Sequence, residues 1–234
     1  AVLSHVVDPA FDLSNEAFPY MAAGEVSVCG GVPARLFRLS FSGELAYELA
    51  VPARYGDALA RRLMEVGAPY GIAPYGTEAL GVMRIEKGHP AGPELNGQTT
   101  AHDLGMGRML STRKDFIGKH MAQRAALTDP ARPTLVGLQP LNPAEQVVAG
   151  AHLLPHGAPA PAASDPGWVS SAAFSPPPGA WIRLCLPSHG PARPGALVGL
   201  PQPPARSEER RGGDGGSAPV SPAHRKQKLI HPDQ

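Results

Sequence analysis

The sequence predicts an α+β protein: a short β-segment, then helices, then a smaller β-rich part and a disordered end. Three observations predict this. Apolar residues alternate with a period of two over about residues 35–51. They recur at three- and four-residue steps over about 52–67, 77–88 and 115–128. Beyond Pro133, short β-type runs return, separated by Pro and Gly. Composition agrees. The 234 residues include 27 Gly and 28 Pro, with 8 prolines in residues 1–129 and 20 in 130–234. Aromatic residues run the other way, since after Phe116 only Trp168, Phe174 and Trp181 remain. The first half therefore has the material of a packed core, and the last quarter lacks it.

The elements follow in order. Residues 1–33 read as short strands and turns, with Gly30-Gly31 as a turn signal before Pro33. Phe37, Leu39 and Phe41 alternate with Arg38 and Ser40, which puts the three apolar residues on one strand face. After the Ser42-Gly43 break, Leu45, Tyr47, Leu49 and Val51 resume the alternation. The pair reads as a β-hairpin or two consecutive strands about a tight turn. Pro52 opens a helix, where a missing N–H is tolerated. Tyr55, Leu59, Leu63 and Val66 form its face and Gly67 closes it. A second helix runs from Thr77 as N-cap to Gly88, with Leu80, Met83 and Lys87 on one face. Asp115 caps a third, which carries Phe116, Ile117, His120, Met121 and Arg124 and stops before Thr128-Asp129-Pro130. Strands are expected at 135–138, 168–172 and 181–184, as in a small β-barrel or sandwich. Residues 201–234 have only Val220, Leu229 and Ile230 as large aliphatics, too few to offset the entropy of ordering.

Several function classes are excluded on composition. A net charge of +1 gives no reason to expect a nucleic-acid partner. No stretch reaches the ~20 apolar residues of a membrane span. Cys29 and Cys185 lie far apart without CxxC spacing, which points to a reducing, cytoplasmic setting. The first residues lack the pattern of a signal peptide. Cys29 reads as a small core residue rather than a nucleophile. His152 and His156 have no third ligand, so no metal is expected. Gly105-Met106-Gly107 lacks the third glycine of a dinucleotide loop, and Ser42 lacks a GxSxG frame. Spacing alone identifies no catalytic residue. Two acidic groups stand out. Glu44 follows the Ser42-Gly43 turn, where a carboxylate can point into a cleft. Glu78, Arg84, Glu86 and Lys87 crowd one helix, where solvated i,i+3 pairs are the simpler reading.

Longer motifs add a resemblance. The run Ser40-Phe41-Ser42-Gly43-Glu44-Leu45-Ala46-Tyr47-Glu48 resembles the folate-domain signature of the glycine-cleavage T-protein (aminomethyltransferase) family. Pro74-Tyr75-Gly76-Thr77-Glu78, continuing to Arg84-Ile85-Glu86-Lys87-Gly88, is similar to the family's second motif. Glu86-Lys87-Gly88-His89, Gly97-Gln98-Thr99-Thr100, Asp103-Leu104-Gly105-Met106-Gly107 and Lys114-Asp115-Phe116-Ile117-Gly118-Lys119 follow in the order of one branch, the α subunits of heterotetrameric sarcosine oxidases. The resemblance implies a partial folate-binding domain over residues 1–127 and a small, incomplete β-barrel over 133–200; composition, in which this chain departs from the family, makes 201–234 a disordered tail.

The resemblance also implies chemistry. The cofactor would be tetrahydrofolate, with flavin and NAD expected only in the full complex alongside β, γ and δ subunits. That complex would demethylate sarcosine oxidatively to glycine, methylenetetrahydrofolate and hydrogen peroxide. Glu44 matches the signature glutamate, and a carboxylate's paired acceptors suit the N–H edge of the pterin. Phe37 or Tyr47 would wall the ring, or serve the core. Arg84 matches the motif arginine, whose fork suits the folate tail or an internal carboxylate equally. The family's catalytic aspartate belongs to a first half with no counterpart here, as do upstream nucleotide-binding domains, so the chain is expected to be a fragment that does not complete the reaction alone. Two other readings stay open: a stand-alone aminomethyltransferase of glycine cleavage, and a non-enzymatic folate-binding protein of iron–sulfur assembly. The latter carries a Lys-Gly-Cys-x-x-Gly-x-Glu frame, which Lys87-Gly88-His89-Pro90-Ala91-Gly92-Pro93-Glu94 keeps with His89 in the cysteine's place. After Pro187 the Gly/Pro/Arg/Ala-rich composition fits either a shifted reading frame or a natural tail.

Overall fold

A computed structural model of the chain describes residues 1–140, 146, 148–155, 167–188, 197–199 and 219–222. These fall into two compact units, Ala1–Leu80 and Gly81–Gln234. The α+β class holds in both.

The first unit is built on a three-stranded antiparallel sheet, β1 (Ala23–Val28), β2 (Val32–Phe37) and β3 (Glu48–Ala50), in that order. The expected turn joins β1 to β2, and Cys29, Gly30 and Gly31 take φ of +51°, +78° and +134°. Glycine adopts such angles without penalty, whereas Cys29 does so at some strain. Cys29 is therefore an exposed turn residue and not a core residue, and the buried cysteine is Cys185. The alternation in β2 holds with the opposite face inward: Ala34, Leu36 and Arg38 are buried, while Phe37 and Leu39 are half-buried. Both faces of this stretch carry apolar residues, so periodicity alone could not choose between them. The link from β2 to β3 is a ten-residue loop, 38–47, rather than a tight turn. Past Phe37 the backbone of Arg38 still bonds to residues 21 and 22 beside β1, and the chain returns to β2 only at Glu48. A short 3₁₀ turn follows Pro52, then helix α1 (Gly56–Gly67). Its Leu59, Leu63 and Val66 face inward as the spacing predicts. Gly67 ends α1 without a left-handed angle, and glycine is required there because a Cβ would lie 2.7 Å from Ile72. The left-handed residue is Gly71. Val6, Val7, Phe18, Val26, Val28, Ala34 and Leu36 form the core.

Helix α2 (Thr77–Lys87) closes with Gly88 at φ +76°, its N–H on Ile85 O and the His89 N–H on Arg84 O. Its buried residues are Arg84 and Ile85, while Leu80, Met83 and Lys87 are half-buried. The expected third helix is broken in two, α3 (Lys119–Ala122) and α4 (Ala125–Thr128). Gly118 at φ +94° precludes a helix started by Asp115. The chain then enters a six-stranded sheet with β4 (Val136–Pro140), β5 (Leu153–Pro155), β6 (Gly167–Ser175), β7 (Ala180–Pro187), β8 (Leu197–Gly199) and β9 (Pro219–Pro222). All three expected strands are present. The order is β5-β8-β9-β4-β7-β6. Just before β5, residues 150–152 approach β6 through the bridge His152–Trp168 and through Gly150 N–H to Val169 O and Val169 N–H to Ala151 O. Among the described residues no continuous ladder joins the two edge strands, so the sheet is not a closed barrel, in line with the expected incomplete one. Two apolar clusters fill this unit: Leu138, Ala151, Leu153, Val169 and Cys185, and Ile85, Leu104, Leu135, Leu184 and Leu186. The disorder expected for 201–234 falls outside the described residues, apart from the strand β9.

Candidate functional site

The loop 38–47 carries Glu44, and its base is fixed by Arg38. This buried side chain donates from Nη1 to Phe18 O at 2.7 Å and from Nη2 to Asn15 Oδ1 at 2.5 Å. Arg38 N–H donates to Ala22 O, and Met21 N–H donates to Arg38 O. Within the loop, Gly43 N–H donates to Ser40 Oγ at 2.8 Å, and Gly43 takes φ +87°. This turn presents Glu44 to solvent between Phe41, 38% exposed, and Leu45, 72% exposed. Among the described residues no hydrogen bond or ion pair engages the Glu44 carboxylate. Phe37 is half-buried at the end of β2, opposite Ala23 and Glu48. Tyr47 is half-buried and packs against the core of the first unit. Two open grooves of about 640 and 540 Å³ lie elsewhere in this unit, and neither Phe37, Glu44 nor Tyr47 lines them.

Arg84 belongs to the second unit, where its guanidinium meets an internal carboxylate. Nη1 donates to Glu94 Oε2 at 2.9 Å and Nη2 to Ser171 Oγ at 2.7 Å. Ser171 Oγ donates to Glu94 Oε1 at 2.6 Å, and the Ala91 N–H donates to Glu94 Oε2 at 2.9 Å. Glu94 is 0% exposed. Burial pushes its carboxyl up, but the nearby serine hydroxyls, chiefly the Ser171 bond, with the Ala91 N–H and the Arg84 charge, outweigh this and hold it below the ordinary value. A register shift in β6 between Val169 and Ser171 places Ser170 and Ser171 both on the buried side. Ser175 adds a second tie to α2, donating to Glu86 Oε1 at 2.5 Å. His89 is lowered by burial first, then by Arg84 and Lys87.

A second ion pair, with only its carboxylate fully buried, fixes the chain that follows. Arg132 grips Asp103 with two parallel bonds, Nε to Oδ1 at 3.0 Å and Nη2 to Oδ2 at 2.5 Å. Thr100 N–H donates to Asp103 Oδ2, and Asp103 N–H to Thr100 Oγ1. Burial would raise Asp103, yet the Arg132 and Thr100 bonds hold it low. Sequence reading missed Glu94, Ser171, Asp103 and Arg132. The Lys87 to Glu94 frame was a usable signal for Glu94. Nothing marks Ser171, which is 87 residues from Arg84. Among the described residues no group of three or more His, Cys, Asp or Glu side chains could hold a metal, and His156 lies outside them. Among the described residues no helix is long and apolar enough to cross a membrane.

Residues 1–114 match the family model described as the GCVT N-terminal domain. Over 84% of its length the chain is 51% identical to the sarcosine oxidase subunit alpha of Rhizobium meliloti. Residues 1–114 therefore belong to the aminomethyltransferase (glycine-cleavage T-protein) family. The chain spans about a fifth of that sarcosine oxidase subunit, 20% of its length. An aminomethyltransferase of Streptomyces avermitilis is 37% identical over 50% of this chain and 32% of its own. The crystal structure of the glycine cleavage system aminomethyltransferase T from Bartonella henselae shares the fold, with a TM-score of 0.64 at 20% identity over 81% of this chain and 48% of that one. The signature carrying Glu44 and the motif carrying Arg84 both fall inside the region matched by the family model. Strand β6, which supplies Ser171, lies beyond it.

Proposed function

We propose that this chain is the tetrahydrofolate-binding, one-carbon-transferring part of a sarcosine oxidase α-type subunit. The observation that carries the reading is the Glu44 carboxylate: solvent-facing, held on a fixed loop and without a protein partner among the described residues. Its two acceptors suit the paired N–H donors on the aminopyrimidinone edge of a pterin. When bound, tetrahydrofolate supplies the amine nitrogen that accepts a one-carbon unit. The chain's own task is binding and orientation. Glu44 anchors the pterin edge, and Phe37 and Tyr47 flank its loop as candidate ring walls. Arg84 spends two of its donors on Glu94 and Ser171, which favours the internal-carboxylate role over a folate-tail contact.

The partners are the remaining subunits of the sarcosine oxidase complex, and the setting is the reducing cytoplasm, consistent with two free cysteines. The greater identity to a sarcosine oxidase subunit than to an aminomethyltransferase favours this over stand-alone glycine cleavage. His89 in the Lys-Gly-Cys frame removes the thiol that an iron–sulfur assembly role would use. Calorimetric titration with tetrahydrofolate tests the reading. The wild-type chain should bind saturably, and Glu44→Ala should bind about tenfold to a hundredfold more weakly, the range for a lost hydrogen bond to a charged group. Equal binding by both rejects Glu44 as the anchor. No binding by the wild type rejects the folate reading.

A further inference from the structure

Between residues 106 and 124 the second unit turns large apolar side chains outward. Met109 is 71% exposed, Ile117 104%, Met121 49% and Phe116 37%. The cause is local. Gly118 breaks the helix, and the four-residue α3 has no face long enough to bury them. The same stretch concentrates charge. Arg108, Arg113, Lys114, Lys119 and Arg124 stand against the single carboxylate Asp115, in a chain whose net charge is +1. Lys119 is committed, with Nζ at 3.1 Å from Asp115 Oδ1. Among the described residues no carboxylate pairs with Arg108, Arg113, Lys114 or Arg124. The loop holds its own shape. Arg113 N–H and Lys114 N–H both donate to Ser111 Oγ, and Lys119 N–H donates to Phe116 O.

Water-exposed Met, Phe and Ile among unpaired Arg side chains are the composition of an interface centre, not of an ordinary surface. We infer that residues 108–124 dock a partner protein whose surface offers an apolar socket ringed by Asp and Glu. The cations steer the encounter and Ile117 enters the socket. A lipid bilayer fits less well. A membrane-surface helix buries one continuous apolar face, and no such helix exists here. Burying this loop in hydrocarbon would also desolvate its unpaired backbone groups. The partner's identity, another subunit of the sarcosine oxidase complex, rests on the function proposed above. The docking chemistry does not.

The test mixes the full chain with the purified partner subunits of the Rhizobium meliloti sarcosine oxidase and measures association at low and high salt. One subunit should bind the wild type, and binding should weaken with salt. Ile117→Asp should weaken it at least about tenfold with an unchanged thermal midpoint, since that side chain touches nothing it could destabilise. Arg113→Glu with Lys114→Glu should weaken it mainly at low salt. Met64→Asp, on the exposed side of α1, should bind as wild type. Wild-type binding by the Ile117 and charge-reversed variants overturns the inference. So does association with phosphatidylglycerol vesicles and with no subunit. No subunit binding alongside positive tetrahydrofolate titration overturns the docking surface and leaves the folate reading standing. Ile117-dependent subunit binding without folate binding does the reverse.

Discussion

Glu94 has no solvent contact, yet it joins three stretches that are distant in sequence: α2 through Arg84, the turn at Ala91, and β6 through Ser171. Removing one partner of such a network strands the others' polar groups away from water. Glu94→Ala should therefore destabilise the protein by about 3–5 kcal/mol, and Glu94→Gln by less, because it leaves Ser171 and Ala91 a partner. Denaturant midpoints at constant slope would show this. A change for Glu94→Ala under about 1 kcal/mol would mean that the network contributes little. Glu44 is its opposite: the same side chain, exposed and unengaged. The sequence signature singled out Glu44 and passed over Glu94, because a short motif records residue types and not their distant partners. The same blindness left Arg84 with two readings, which only the presence of Glu94 and Ser171 around its fork could separate.

At the scale of elements, β6 depends on its first residue. Gly167 takes φ +130°, and a Cβ there would lie 2.2 Å from Leu186 O and 2.6 Å from Pro187 Cα. Both obstacles are backbone, so neither can swing aside. Gly167→Ala should destabilise by about 3 kcal/mol or more through strain and overlap, or displace the start of β6 from β7. Thermal unfolding with amide exchange at 168–172 would detect either effect, and a wild-type midpoint with unchanged protection would contradict the expectation. Strands were read more successfully than helix details. Strand β7 pairs with β6 through eight register positions, and its apolar run was plain in the sequence. The third helix failed at a single residue, Gly118, whose left-handed angle no periodicity reports. The inward face of β2 was misjudged because Arg38, a charged residue, is buried by donating to Phe18 O and Asn15.

Acid stability is a property of the whole molecule, because three groups titrate in the same sense. His89, Glu94 and Asp103 all sit below their ordinary values of 6.5, 4.5 and 3.8. A depressed value means that the unfolded chain binds the proton more readily than the folded one. Each contribution is thus present above the ordinary value and lost as pH falls through the folded one. The thermal midpoint should hold steady just above pH 6.5, decline below it as His89 protonates, and fall further below 4.5 as the carboxylates follow. A midpoint that rose on acidification across this window would reverse the assignment.

The sequence by itself determined the α+β class, the positions of β4, β6 and β7, the family resemblance and the Gly43 turn that presents Glu44. These rest on local signals: turn glycines, periodicity and contiguous motifs. Only the tertiary structure decided which face of β2 is buried, that Cys29 is outside and Cys185 inside, and that Arg84 holds Glu94. It also decided that Met109 and Ile117 are bare. Such features depend on what stands opposite a residue in space. Arg84 and Ser171 meet only because α2 and β6 are brought together, and nothing within either segment encodes the other.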